Sequence, residues 1–307
     1  MRRAFRNRAL GAILALSLVA TACGGSGESG GDIPDGPAIV VSSFNFNEST
    51  ILAEIYGQAL ENAGYPVERR LNLGNREVVK PALENGEINL VPEYIGTILT
   101  FLEGSPTADS DETWEAAREA FAESGVTLLQ YAPAQDKNGY VVTGETADEL
   151  GVSTLSDLEP VAGDLVFGGP PECPDRELCL PGLQEVYGLD FAEFVPLDAG
   201  GPLTVAALDA GEIDVGLLFT TSGVITANDW VLLEDDQGLN PAENIVPAVT
   251  TEIVDTYGED FTNLVDSVSA EITTEGLTEM NQRADIDGDD PAVVATDWLT
   301  ENGFLES

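Results

Sequence analysis

The sequence predicts an α/β protein built from two related halves, and two observations support this prediction. From Ala38 onwards, strand-like segments alternate with segments of helical periodicity, the pattern of a sheet covered by helices on both faces. In addition, "ALENGEIN" (82–89) recurs as "ALDAGEID" (207–214). In each copy we expect a helix to end at a glycine and a strand to follow whose last residues are polar or aromatic. Since open α/β sheets bind ligands beyond the carboxyl ends of their strands, two such sheets facing each other would enclose a cleft.

In the first half, apolar residues recur at helical spacing from Ile51 to Leu60. Asn47 has the chemistry of an N-cap for this helix and Gly64 that of a stop, while Pro81 is expected to bend the next helix. The predicted strands are 38–44, 66–73, 87–94 and 126–134, and the predicted helices are 47–64, 75–86 and 111–125.

The second half repeats this alternation and ends in a helical tail over 250–307. The predicted strands are 138–144, 164–169, 192–197, 212–221 and 229–236, and the predicted helices are 181–188 and 203–211.

Charge and composition restrict the function classes. The chain has 307 residues and a net charge of −43, from 12 Lys+Arg against 55 Asp+Glu, with no His. Nucleic acid is disfavoured as a partner because phosphate binding depends on Lys and Arg. The absence of His excludes Ser–His and Cys–His catalytic pairs and a His-ligated metal, and no cofactor is indicated. Composition alone does not exclude a glycosidase that uses two carboxylates, because the chain has many acidic residues. No particular pair of acids is indicated, however.

The N-terminus resembles a bacterial lipoprotein leader. Four arginines precede an apolar run from Ala9 to Ala20, which is too short to span a bilayer comfortably and matches a signal-peptide core. We predict a signal peptide over 1–22, lipidation of Cys23 and a flexible linker over 23–37, tethering the protein to the outer face of the cytoplasmic membrane. An ordinary signal peptide with an incidental cysteine is the alternative.

The two other cysteines, Cys173 and Cys179, lie in the Pro-rich loop "GPPECPDRELCLPG". Outside the cell, such a close pair predicts a disulfide. A metal site is the alternative, but two sulfurs without any His make a poor ligand set, so we predict no metal.

Long stretches of the chain resemble a known family. "VSSFNFNESTILAEIYGQALENAGYPVERRLNLGNREVVKPALENGEINLVPEYIGT" (41–97), "APAQDKNGYVVT" (132–143) and "DIDGDDPAVVATDWLTENG" (285–303) resemble the osmoprotectant-binding proteins of ABC importers. This family serves glycine betaine, choline, carnitine and related quaternary amines. The resemblance implies a bilobal type II periplasmic-binding-protein fold with two mixed sheets. Lobe 1 would comprise 38–133 and 247–307, lobe 2 would comprise 134–246, and two hinge crossovers would lie near 134–138 and 244–248. The closed monomer would dock on a membrane permease driven by an ATPase.

The chemistry of a quaternary ammonium selects candidate residues at the cleft. Such a group has no N–H to donate, so aromatic ring faces bind it, and the carboxylate of a betaine needs hydrogen-bond donors. Tyr94, in the "PEYIGT" turn, is the first candidate, whereas Phe219 is interpreted as a core residue. The full set of candidates is Phe44, Asn45, Asn75, Arg76, Tyr94, Thr97, Asn138, Tyr140, Thr220 and Thr221.

Two departures from the family pattern affect the expected ligand. Where many relatives read "SKNFTEQ", residues 43–49 read "SFNFNES", so Phe44 replaces a lysine, and Ser222 stands where relatives often have Asp. The alternatives are a receptor of the same fold for another small zwitterion, such as an ergothioneine-like compound or a polar amino acid, and a tethered interaction protein without transport.

Overall fold

The structure, a computed structural model, describes Ile33 and residues 35–306, so the predicted signal peptide over 1–22 and the lipidation of Cys23 lie outside the described residues. The strands are β1 (Ile39–Phe44), β2 (Val67–Gly74), β3 (Leu90–Tyr94), β4 (Val126–Leu128), β5 (Asn138–Val142), β6 (Val166–Gly169), β7 (Glu193–Pro196), β8 (Val215–Phe219), β9 (Val231–Leu232) and β10 (Ile245–Thr250). The helices are α1 (Asn47–Asn62), α2 (Arg76–Glu84), α3 (Ile95–Phe101), α4 (Ser110–Phe121), α5 (Gly144–Leu150), α6 (Leu180–Tyr187), α7 (Pro202–Asp209), α8 (Gly223–Ala227), α9 (Thr251–Glu271), α10 (Thr274–Gln282) and α11 (Pro291–Glu301).

The strands form two five-stranded mixed sheets of the same topology. The first sheet has the order β2-β1-β3-β10-β4 and the second the order β7-β6-β8-β5-β9. In each sheet the first three strands are parallel, and the fourth runs antiparallel to the third. The predicted α/β class with two mixed sheets is confirmed.

The repeated sequence forms the same turn in both sheets. Gly86 and Gly211 have φ angles of 70° and 66°, the left-handed region that favours glycine. After each turn, a side chain accepts from the neighbouring parallel strand: Asn89 Oδ1 from the Val40 N–H (3.0 Å) and Asp214 Oδ2 from the Val166 N–H (2.7 Å). The two copies therefore place β3 and β8 at equivalent positions.

Helices cover both faces of the second sheet. Tyr140 and Val142 pack into a core that includes Leu183 of α6, whereas Val141 packs on the opposite face with Leu208 of α7. This alternation is expected for a strand buried on both faces. The first sheet lies in a larger core to which α1, α9 and α11 contribute.

The chain crosses between the sheets twice, and the two crossing segments pair with each other. Gln135 forms an isolated antiparallel bridge with Asn244. Ile245 and Val246, which the prediction assigned to lobe 2, pair with Tyr94 and Glu93 in the first sheet. The predicted lobe boundaries otherwise stay a prediction.

Three local predictions differ from the structure. The residue at the N-cap of α1 is Phe46, and Asn47 is the first helical residue, whose Nδ2 donates to Asp285 Oδ1 (2.6 Å). The strands predicted over 126–134 and 229–236 shrink to β4 and β9, which are edge strands with one neighbour each.

Over the described stretch, no helix is both long enough and apolar enough to cross a bilayer.

Candidate functional site

The carboxyl ends of three strands meet at one cavity between the sheets. Phe44 ends β1, Tyr94 ends β3 and Phe219 ends β8, and all three line about 90 Å³ of space open to water. We call this space the aromatic cavity. Its other lining residues are Asn45, Phe46, Asn75, Arg76, Thr97, Asp136, Asn138, Pro170, Glu172, Cys173, Arg176, Cys179, Ala199 and Leu217.

Aromatic rings cluster around Phe46. Its ring centroid lies 5.2 Å from that of Phe219, 6.3 Å from that of Tyr94 and 6.0 Å from that of Phe44. Ring faces attract a cation that lies within about 6 Å of the centroid, and the attraction increases when water is excluded. The cavity therefore offers several electron-rich surfaces to one positively charged group.

A buried ion pair forms part of the cavity wall. Arg76 Nη2 lies 2.8 Å from Glu93 Oε2, and both side chains are almost fully buried. The Arg76 guanidinium carbon lies 5.1 Å from the centroid of the Phe44 ring. Arg76 thus occupies one face of Phe44, and Glu93 has a cationic partner from the protein itself.

Asp136 lines the cavity as a buried carboxylate. Its Oδ1 accepts from Thr220 Oγ1 and from the Thr221 N–H, each at 3.1 Å. No ion pair in the described part of the chain includes it. Desolvation, followed by repulsion from Glu48, raises the pKa of Asp136 well above its usual value. A cation in the cavity would offset both effects.

Glu48 joins the two sheets and the C-terminal region behind the rings. Glu48 Oε1 accepts from the Tyr94 hydroxyl (2.7 Å), and Oε2 accepts from Thr221 Oγ1 and Asn281 Nδ2 (both 2.6 Å). Tyr94 belongs to the first sheet, Thr221 follows β8 in the second, and Asn281 lies on α10. Hydrogen bonds to a carboxylate are the strong kind, so this contact fixes the sheets relative to each other.

A disulfide-bonded loop closes one side of the cavity. Cys173 and Cys179 are bonded, with their Cα atoms 5.3 Å apart. Within this ring the Arg176 N–H donates to Cys173 O (3.3 Å), and the Cys179 N–H donates to Arg176 O (3.0 Å). Arg176 Nη2 then reaches Glu77 on α2, 3.0 Å from each carboxylate oxygen. The loop of the second sheet is therefore paired with a helix that packs on the first.

Seven of the ten predicted ligand-binding residues line the aromatic cavity, and three do not. Tyr140 is buried in the core of the second sheet, where its hydroxyl donates to Leu178 O (3.2 Å). Thr220 and Thr221 lie behind Asp136 and donate to it. The lining residues are Phe44, Asn45, Asn75, Arg76, Tyr94, Thr97 and Asn138.

Four of the lining residues outside the predicted set supply the chemistry used below, namely Phe46, Asp136, Arg176 and Phe219. Phe219 was assigned to the core, but it is only half-buried and lines the cavity. Phe46 lies two residues after Phe44, and Asp136 lies two residues before Asn138 in the crossover segment. Both are therefore close in sequence to predicted site residues, and this closeness could have indicated them. For Arg176, the signal was its position between the two cysteines.

Comparisons with known proteins agree with this architecture. A family model described as "Substrate binding domain of ABC-type glycine betaine transport system" matches residues 37–301. The carnitine transport binding protein OpuCC of Listeria monocytogenes serotype 1/2a (strain 10403S) is 27% identical over 299 residues, which cover 96% of this chain and 95% of that protein. The glycine betaine-binding protein YehZ of Escherichia coli (strain K12) is 25% identical over 275 residues, covering 84% of this chain and 88% of that protein.

A solved structure shows the same fold. The crystal structure of a glycine betaine/carnitine/choline ABC transporter superposes with a TM-score of 0.69 at 26% identity, covering 87% of this chain and 99% of that chain. The bilobal periplasmic-binding architecture expected from the resemblance is confirmed.

Proposed function

The chain belongs to the family of substrate-binding domains of ABC-type glycine betaine transport systems, and from this premise we propose that its aromatic cavity captures a small zwitterionic quaternary amine and delivers it to a membrane permease. Glycine betaine, carnitine and proline betaine are solutes that fit this description. The permease and its ATPase are part of the proposal, as are a monomeric state, attachment through a lipidated Cys23 and the absence of catalysis.

The observation that carries the proposal is the convergence of Phe46, Tyr94 and Phe219 with Asp136. A quaternary ammonium cannot donate a hydrogen bond, so methyl groups against ring faces are the main means of recognising it. Asp136 supplies a buried carboxyl group in a place where no Lys or Arg of the described chain forms an ion pair with it, and a bound cation would favour its ionised form.

The preference for a zwitterion depends on Arg176. Its Nε is buried and has no hydrogen-bond partner, although the residue lines the cavity. A buried donor without an acceptor costs free energy, and the carboxylate of a betaine would supply that acceptor. Asp136 and Arg176 would then bind the opposite ends of the solute.

Isothermal titration calorimetry of the purified protein tests the proposal. Glycine betaine, carnitine and proline betaine should bind with micromolar affinity, choline more weakly, and glycine and other primary amino acids not at all. Ergothioneine belongs in the panel because it represents the alternative zwitterion. Binding confined to primary amino acids would overturn the proposal.

Arg176→Met provides a sharper test because it separates the two ends of the ligand. Losing a charge-assisted hydrogen bond costs about 1.5–3 kcal/mol, so glycine betaine affinity should fall at least about tenfold. Choline has no carboxylate, and its affinity should change little. An equal loss for both solutes would assign Arg176 to closing the cleft rather than to the ligand.

A further inference from the structure

The internal repeat places one exposed apolar residue at the same position in each half of the protein. Ala82 of "ALENGEIN" corresponds to Ala207 of "ALDAGEID". The residue four positions before each alanine is Val78 on α2 and Leu203 on α7. The exposed fractions of these two side chains are 49% and 61%. The two helices therefore present a large apolar side chain to water at equivalent points.

The two helices are otherwise amphipathic. The residues that follow the exposed pair, Val79 and Thr204, are fully buried, and Leu83 and Leu208 are almost fully buried. Polar residues are expected on the outward face of such a helix. A single exposed apolar residue is common at a protein surface. An exposed apolar residue at the same repeat position in both halves indicates a contact that the two halves share.

Both helices begin at the space between the lobes. Asn75 and Arg76, at the start of α2, line the aromatic cavity. Gly201 and Pro202, at the start of α7, line an adjoining cavity, to which Phe46 also contributes. Since the lobes approach each other across this space, the distance between the two helix starts depends on how far the lobes close. A partner that contacts both starts would therefore recognise the closed arrangement.

Acidic side chains flank both exposed residues. Glu77 is next to Val78 on α2, and Asp198 accepts from the N–H of Leu203 on α7 (2.9 Å). Both cations of α2 form ion pairs within the protein, and α7 has neither Lys nor Arg. A complementary partner surface would therefore have an apolar pocket with Lys or Arg at its rim.

We propose that Val78 and Leu203 are the two anchors of a docking surface for the membrane permease, and that each anchor contacts one half of a permease with two-fold symmetry. This inference depends on the proposed function, which includes a permease. Equivalent anchors on two similar lobes suit a partner that repeats its own contact surface, because one kind of pocket then serves both. Since closure sets the spacing of the anchors, docking is coupled to solute capture.

Lysine substitution at each anchor tests the surface. Val78→Lys and Leu203→Lys each place a positive charge against the basic rim, and both residues are exposed in the first turn of a helix, so the variants should fold. In the organism that carries this gene, each variant at equal protein level should reduce uptake of radiolabelled glycine betaine at least about tenfold. Calorimetry on the purified variants should show an unchanged affinity for glycine betaine.

Val293→Lys is the matched control. Val293 is 51% exposed in the first turn of α11, which lies outside the repeat, so this variant should import glycine betaine like the wild type. The proposal is overturned if the anchor variants import as well as Val293→Lys, or if either loses affinity for the solute. It is also overturned if the wild type dimerises in analytical ultracentrifugation and an anchor variant does not, because a second copy would then occupy the surface.

The two arms of the experiment separate this inference from the proposed function. A wild type that binds no quaternary amine in calorimetry would overturn the proposed function and the docking surface together. A wild type that binds and imports glycine betaine, with anchor variants that do the same, would overturn the docking surface alone.

Discussion

Replacing Phe46 by Leu tests whether ring faces hold the ligand. Leu keeps an apolar side chain at the cavity but removes the electron-rich face that lies next to Tyr94 and Phe219. A desolvated ring contributes up to about 2 kcal/mol to cation binding, and about 1.4 kcal/mol corresponds to a tenfold change in affinity. Since Phe46 is only half-buried, we expect an affinity loss of about 5- to 20-fold for glycine betaine.

Calorimetry on folded protein measures this loss, and Phe304→Leu is the matched control. Phe304 is also half-buried, but it stacks on Trp298, 6.2 Å away, and does not line the cavity. Phe304→Leu should leave affinity unchanged. If Phe46→Leu binds glycine betaine as tightly as the wild type while its unfolding midpoint is unchanged, recognition by the rings is refuted.

Three further predictions concern stability. Glu93→Gln leaves Arg76 buried without its counter-charge, so urea unfolding should show a loss of about 3–5 kcal/mol. Replacing Cys173 and Cys179 by Ser should cost about 2 kcal/mol, because the disulfide closes a short loop. Burial raises the pKa of Glu243 from 4.5 to about 7. The folded state therefore holds this proton more tightly, and the resulting stability is complete below about pH 4.5 and is lost as pH rises through about 7. Urea unfolding between about pH 5 and pH 8 should show a decline of up to about 3 kcal/mol that Glu243→Gln removes.

Each of these predictions has a control. Glu84→Gln breaks the partly exposed pair with Lys80 and should cost about 1 kcal/mol or less, so an equal effect of Glu93→Gln would contradict its burial argument. Dithiothreitol should destabilise the wild type but not the serine variant, and a response of both would mean that the disulfide is not its target. An unaltered pH profile in Glu243→Gln would assign the decline to other carboxylates.

The fold class could be predicted from the sequence because both signals for it, the alternation of strands with helices and the repeated turn, are local. The "GEI" turns depend on a glycine and on the side chain three residues later, and both copies behave alike in the structure. The lengths of the edge strands could not be predicted from the sequence, because β4 and β9 end where pairing with their single neighbouring strand ends. Asn47 was misplaced as an N-cap because its side chain donates to Asp285, far away in sequence.

Site residues at the ends of strands could be predicted from the sequence. Site residues whose role depends on the direction of the side chain could not. Tyr94 and Phe44 end strands that the sequence indicates. Tyr140 is likewise an aromatic residue on a predicted strand. Because side chains alternate along a strand, however, it points into the core beside Phe167. Asp136 stands out only once its burial and its threonine donors are known, which a sequence cannot supply.

The position of β10 constrains the order in which the molecule can be made. The second sheet uses only residues 138–232, so it is complete as soon as that stretch has been synthesised. The first sheet lacks the strand between β3 and β4 until Ile245–Thr250 arrives. During synthesis or export from the N-terminus, the first sheet therefore stays incomplete until the second sheet has been made. Until then, the edges of β3 and β4 are unpaired.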